Sequence, residues 1–70
     1  MTESNKGVVI PTDVYDGAGD MTKIEFHNKS GEFVLEAVWD PKDEQTSENR
    51  VLFRKWAYRM LDQLGYQILK

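Results

Sequence analysis

Few side chains in this chain are of a type that does chemistry. His27 is the single histidine, with Glu25 two residues before it and Ser30 three after. A Ser–His–acid nucleophile needs the serine within hydrogen-bond reach of the imidazole and oxyanion donors across a cleft. Asn28-Lys29-Ser30-Gly31 lies between two β-prone runs and reads as a tight hairpin loop. Such a loop in a small domain offers no cleft, so His27 is expected to be an exposed strand residue and no catalytic residue is assigned. Asp13, Asp16 and Asp20 could offer oxygens to a hard cation, but their spacing lacks the D-x-[DN]-x-[DN]-G pattern and its later Glu. The stretch Asp16-Gly17-Ala18-Gly19-Asp20 reads as a solvated turn, and its glycines do not make a phosphate loop. The chain has no Cys, which excludes disulfides and thiolate metal sites, and one His cannot build a histidine-based zinc site. Neither a metal nor a cofactor is expected.

The remaining chemistry is charge. Residues 1–47 carry ten acidic residues against four Lys, whereas residues 48–64 carry Glu48 and Asp62 against Arg50, Arg54, Lys55 and Arg59. An acidic first part is therefore joined to a basic segment, within a net charge of −3. With Tyr58, the basic residues could contact phosphates or an acidic protein. A nucleic-acid-binding role is the alternative reading, disfavoured by the acidic whole and the lack of a second basic element. Mimicry of a nucleic-acid backbone is disfavoured by the lysines spread among the acids.

The basic segment is also the only long periodic one. On a helical wheel over 47–64, Phe53, Trp56, Ala57, Met60, Leu61 and Leu64 form one apolar stripe. Thr46 or Ser47 is a suitable N-cap, Glu48 suits the first turn, and Gly65 suits the position past the helix end. Before the helix, residues 21–28 and 32–39 alternate as strands. Ile24 and Phe26 share a face, as do Phe33, Leu35, Ala37 and Trp39. A four-residue loop pairs His27 with Glu32, Phe26 with Phe33 and Ile24 with Leu35. A slip of one residue would bury Glu32 and Glu36 instead. Residues 7–10 form a short β-prone run ended by Pro11, and 11–20 read as a loop. Residues 66–69 are short and β-prone, able to return beside the hairpin or tuck against the core. Residues 1–6 read as a disordered tail. The expected fold is a single α+β domain over 1–70, a two-layer antiparallel hairpin or sheet covered by one C-terminal helix.

Seventy residues bury a small core worth only about 3–5 kcal/mol. With no disulfide or metal to add, a partner subunit or a bound protein is the stabiliser that remains, and a homodimer is one form of it. The apolar residues left over by the two-layer reading fit that need. Val34 and Val38 flank Glu36 on the strand face away from the helix, and Tyr58 lies on the helix back among Arg54, Lys55 and Arg59. Val34, Glu36, Val38, Arg54, Lys55, Tyr58 and Arg59 are therefore the expected partner-binding residues. Truncating Tyr58 to Ala should weaken binding and leave folding nearly intact. In its size, lack of Cys, acidic sheet and single helix the whole chain resembles the small accessory proteins of bacteriophages. That resemblance implies a non-enzymatic, cytoplasmic protein that docks on a larger, host protein and modulates or inhibits it. No apolar run is long enough to span a bilayer and no signal peptide is apparent, so a soluble intracellular protein without membrane contact is expected.

Overall fold

A computed structural model describes residues 7–69; the tail expected over 1–6 lies outside them. The described residues form strands β1 (Val8–Tyr15), β2 (Met21–His27) and β3 (Phe33–Val38), helix α1 (Ser47–Gln63) and a short strand β4 (Gln67–Ile68). The sheet order is β3-β2-β1-β4. β1–β2 and β2–β3 are antiparallel and β1–β4 is parallel. The link from β3 on one edge to β4 on the other is α1, which therefore has to cross one face of the sheet. This is the expected small α+β domain with one helix packed on a sheet. None of its described helices is long and apolar enough to cross a membrane.

The first strand is longer than the sequence suggests. Pro11 does not end it: β1 continues to Tyr15, and Pro11 stands opposite Phe26. Its edge position explains why a proline is tolerated there. Val9 accepts from Leu69 N–H at 2.9 Å on the β4 side, so Pro11, two residues on, turns its nitrogen to that same side. β4 reaches only Val8 and Val9, so the missing N–H falls where no strand would use it. Only residues 16–20 are a turn. Asp16 organises it by accepting from Ala18 N–H at 2.9 Å and Asp20 N–H at 3.0 Å. The last strand is Gln67–Ile68, shorter than the run 66–69, and it lies beside β1 rather than beside the hairpin.

The hairpin register differs from the expected one by two residues. Ile24 faces Ala37, Phe26 faces Leu35 and Glu25 faces Glu36. A shift of two keeps every side chain on its face, which is why the alternation alone did not resolve it. The turn sets the register. Asn28 accepts at its side-chain oxygen from Ser30 and Glu32 N–H at 2.9 and 3.0 Å, and Gly31 takes a φ of 86°. The ladder then slips between Phe26 and His27, so that Phe33 pairs with His27. This irregularity moves Phe33 onto the face away from the helix, where its ring meets His27 edge-on at 5.9 Å. Phe33 is thus not a core residue.

The helix begins where expected. Thr46 is the N-cap, accepting from Asn49 N–H at 3.0 Å. It ends on Leu64 and Gly65, whose φ is 101°. Gly65 N–H donates to Asp62 and Tyr66 N–H to Leu61, both at 3.0 Å, which closes the last carbonyls. The stretch before the helix also does more than link. Gln45 accepts from Met21 N–H at 3.0 Å and donates to Met21 C=O at 2.8 Å, acting as a one-residue strand at the start of β2. Trp39 closes the same end, donating from Nε1 to the Asp43 carbonyl at 3.1 Å.

Val9, Met21, Ile24, Phe26, Ala37, Trp39, Ala57 and Leu61 make the core. The expected stripe supplies only Ala57 and Leu61 to it, with Phe53 half-buried alongside. Trp56 and Leu64 are exposed, and the helix is turned so that Tyr58 faces the sheet. Extra sheet width explains the rotation. With β1 lying beyond β2, the flank carrying Arg54 and Tyr58 gains a surface to rest on, while the flank carrying Leu52 and Trp56 loses one.

Candidate functional site

Two of the expected partner-binding residues are turned back into the fold. Arg54 donates from Nη2 to Asp13 Oδ2 at 2.6 Å, tying α1 to β1. The Asp13 carboxylate raises the Arg54 pKa, against an opposing effect of burial. Tyr58 is half-buried, its ring edge-on to Phe26 at 6.2 Å, and burial pushes its hydroxyl pKa up. Both were expected on the open back of the helix, and both sit on the flank that covers β1. Arg50 is also engaged, donating from Nε to Gln45 Oε1 at 3.2 Å. The basic surface is reduced to Lys55 and Arg59, which remain exposed.

Val34 is likewise displaced. The slipped ladder leaves it half-buried and packed against the core cluster instead of standing open beside Val38. Glu36 and Val38 do lie on the open face, and the pairings show what surrounds them. Ile10, Thr12 and Val14 of β1 stand opposite His27, Glu25 and Lys23, which stand opposite Phe33, Glu36 and Val38 of β3. Directly opposed residues in an antiparallel ladder share a face, so these nine form one platform. No described element covers it. Its rim exposes Ile10 at 37%, Phe33 at 55% and Val38 at 61%.

The centre of the platform is a fixed charge network. Glu25 and Glu36 face each other across the ladder, a pairing that is unfavourable alone. Lys23 resolves it, reaching Glu36 at 3.0 Å and Glu25 at 3.2 Å, while His27 Nε2 meets Glu25 at 3.0 Å. The hydrogen bond from His27, then that from Lys23, holds the Glu25 carboxyl below the usual glutamate range. Glu36 and then Glu25 raise the Lys23 ammonium. A depressed carboxyl stabilises the fold above its unfolded pKa, about 4.3, and loses that contribution as the pH falls through the folded value. A raised ammonium contributes below its ordinary value and loses it as the pH rises through the folded one. Thermal unfolding followed by circular dichroism should therefore give a melting temperature level near neutrality that falls on the acid side. In Glu25→Gln the acid fall should be smaller; an unchanged acid limb would exclude the network as a contributor.

A second open surface joins Leu52 to Trp56, a residue expected in the buried stripe. Leu52 and Trp56 are exposed at 55% and 47%. Trp56 stacks on Phe53 at 5.9 Å, and Phe53 meets Trp39, just past the end of β3, at 5.1 Å. The signal for it lay in the helical wheel, where the apolar residues span a wider arc than the buried face of one helix needs.

A cleft of about 430 Å³ lies where β2 begins and β3 ends and is lined by Asp16, Asp20, Trp39, Asp43 and Gln45 among others. Its lining offers the Asp16, Asp20 and Asp43 carboxylates and the Thr22 hydroxyl, which donates to the Val14 carbonyl at 3.2 Å, and among the described residues no three His, Cys, Asp or Glu side chains are grouped to hold a metal ion. No family model, curated protein or solved structure matches the chain.

Proposed function

We propose that this chain is a non-enzymatic protein-binding module, an accessory or inhibitor protein of the cytoplasm that docks on a larger protein and modulates it. The observation that carries this reading is the uncovered platform, where Ile10, Phe33 and Val38 stand exposed around the Lys23–Glu25–His27–Glu36 network. Exposed apolar side chains around polar groups already held in place favour association, because those polar groups lose little freedom on binding. The platform carries two carboxylates against one lysine, so a partner surface with basic residues among apolar ones complements it. The resemblance to bacteriophage accessory proteins points to a host protein as the partner.

Capture from a lysate of the native host with the wild-type chain and with Phe33→Ala/Val38→Ser tests the proposal. Both substituted side chains are mostly exposed, so the fold should be retained. The double substitution is expected to raise the Kd of the captured protein at least about tenfold. Affinity should fall only shallowly with salt. Equal binding by both chains would defeat the reading. A steep fall with salt and a nucleic acid as the captured species would replace it with phosphate recognition, for which Arg54 and Arg50 are already engaged elsewhere.

A further inference from the structure

The two edges of the sheet are treated differently. On one side β1 is partly covered by β4, and its open length carries Pro11, a residue that discourages strand addition. On the other side β3 presents Phe33–Val38 with no strand beside it among the described residues, and with neither a Pro nor a Lys in it. Trp39 N–H donates inward to Thr22 at 2.9 Å. By alternation the backbone N–H and C=O of Glu36 and Val38 therefore point outward. An edge of this length without such devices invites pairing. Next to it, on the helix side, lies the exposed Leu52–Trp56 patch, joined to the end of β3 through Phe53 and Trp39.

We propose that the β3 edge and the Leu52–Trp56 flank together bind a second copy of this chain, by antiparallel β3–β3 pairing about a two-fold axis perpendicular to the sheet. That axis keeps both helices on one side and joins the two sheets into one. Pairing centred on Ala37 sets Glu36 across from Val38 of the second copy, which spares Glu36 a like-charged neighbour, and it brings the Trp39–Phe53–Trp56 clusters of both copies to the axis. With the helices antiparallel and Leu52 level with Trp56 of the other copy, Glu48 comes level with Met60 and next to Arg59. Glu48 and Arg59 lie on the same exposed arc as Leu52, and neither is in an ion pair among the described residues. This charge match favours a second copy over an arbitrary extended segment, which would pair with the edge but leave Leu52, Trp56 and Arg59 unmatched. The inference concerns the β3 edge and a helix flank rather than the open face of the sheet, with Glu36 and Val38 bordering both, and it supplies the extra burial that a core of eight side chains lacks.

Sedimentation velocity over about 1 µM to 1 mM tests it. The wild-type chain should pass reversibly from its 8.1 kDa monomer to a species of twice that mass. Leu52→Lys should raise the dimer dissociation constant at least about a hundredfold with unchanged circular dichroism. Glu48→Arg should raise it about tenfold, and adding Arg59→Glu in the same chain should restore it, because the pair is then reversed rather than broken. Amide hydrogen exchange at Glu36 and Val38 should slow as concentration rises. A monomer throughout the range overturns the proposal. So does a dimer indifferent to Leu52→Lys, or a charge swap without rescue, since either moves the interface elsewhere. Retained partner capture by monomeric Leu52→Lys separates failure here from failure of the platform reading.

Discussion

Phe26→Ala is expected to leave about half or more of the molecules unfolded at 25 °C. Phe26 has no exposed surface, stands between Pro11 and Leu35 in the sheet, and carries the edge-on ring of Tyr58. Removing a buried phenylalanine costs about 3–5 kcal/mol, part for lost transfer and part for the cavity left behind. The whole domain is expected to be stable by only about 3–5 kcal/mol, so the two quantities meet. Circular dichroism with urea titration measures it directly, at low concentration so that association does not add stability. Phe33→Ala is the control. It removes the same ring from a site that is 55% exposed and should move the unfolding midpoint little. Equal effects from the two substitutions would show that the irregularity before His27 does not place Phe33 outside.

Tyr58→Ala is the second large effect, and its sign reverses the expectation from the sequence. On a wheel Tyr58 lies opposite the apolar stripe and reads as a binding residue whose loss leaves folding intact. In the fold its ring meets Phe26 and its flank of the helix rests on β1 beside the Arg54–Asp13 pair. Losing the ring should cost about 2–3 kcal/mol, from lost burial and the lost aromatic contact. Tyr58→Phe keeps the ring and should recover most of it. Chemical unfolding of the three chains decides the matter: a fully stable Tyr58→Ala would return Tyr58 to the surface.

The parts of the fold that were legible are those set by local chemistry. Alternation over residues 21–39 identified the hairpin and, Phe33 and Val34 apart, its faces, Thr46 and Gly65 bracketed the helix, and the need for one layer to cover the other gave the architecture. Most of what was missed depends on residues far apart in the chain. Pro11 signals a strand end unless one knows that its nitrogen faces an open edge. The β-branched residues at 8, 10, 12 and 14 were a usable signal, because a period of two through the proline argues for a strand that continues. The two-residue register shift was invisible to face patterning and was decided by the Asn28 side chain. Gln45 completing β2 across a separation of 24 residues has no sequence signature at all.

The candidate site follows the same division. Glu36 and Val38 were correctly placed on the open face, since one alternation settles that. Lys55 and Arg59 remain exposed on the helix as expected. Arg54, Tyr58 and Val34 were misplaced because their surroundings come from β1 and from the slipped ladder, neither of which was visible locally. Trp56 was misplaced for the complementary reason. The wheel shows which residues lie on one arc of the helix. How much of that arc the sheet covers is set by where the sheet lies, and β1 moved it.

Helix α1 keeps Trp56 outside while Trp39 is buried, and the chain's two tryptophans let this be measured. Acrylamide quenching of the wild-type chain and of Trp56→Phe, which retains only Trp39, separates the two emissions. In dilute solution Trp56 should emit at long wavelength and quench readily while Trp39 resists, and the Trp56 component should become protected as the concentration rises. If Trp56 proves as protected as Trp39 at the lowest concentration, the helix buries its whole stripe, and the surface on which the dimer depends does not exist.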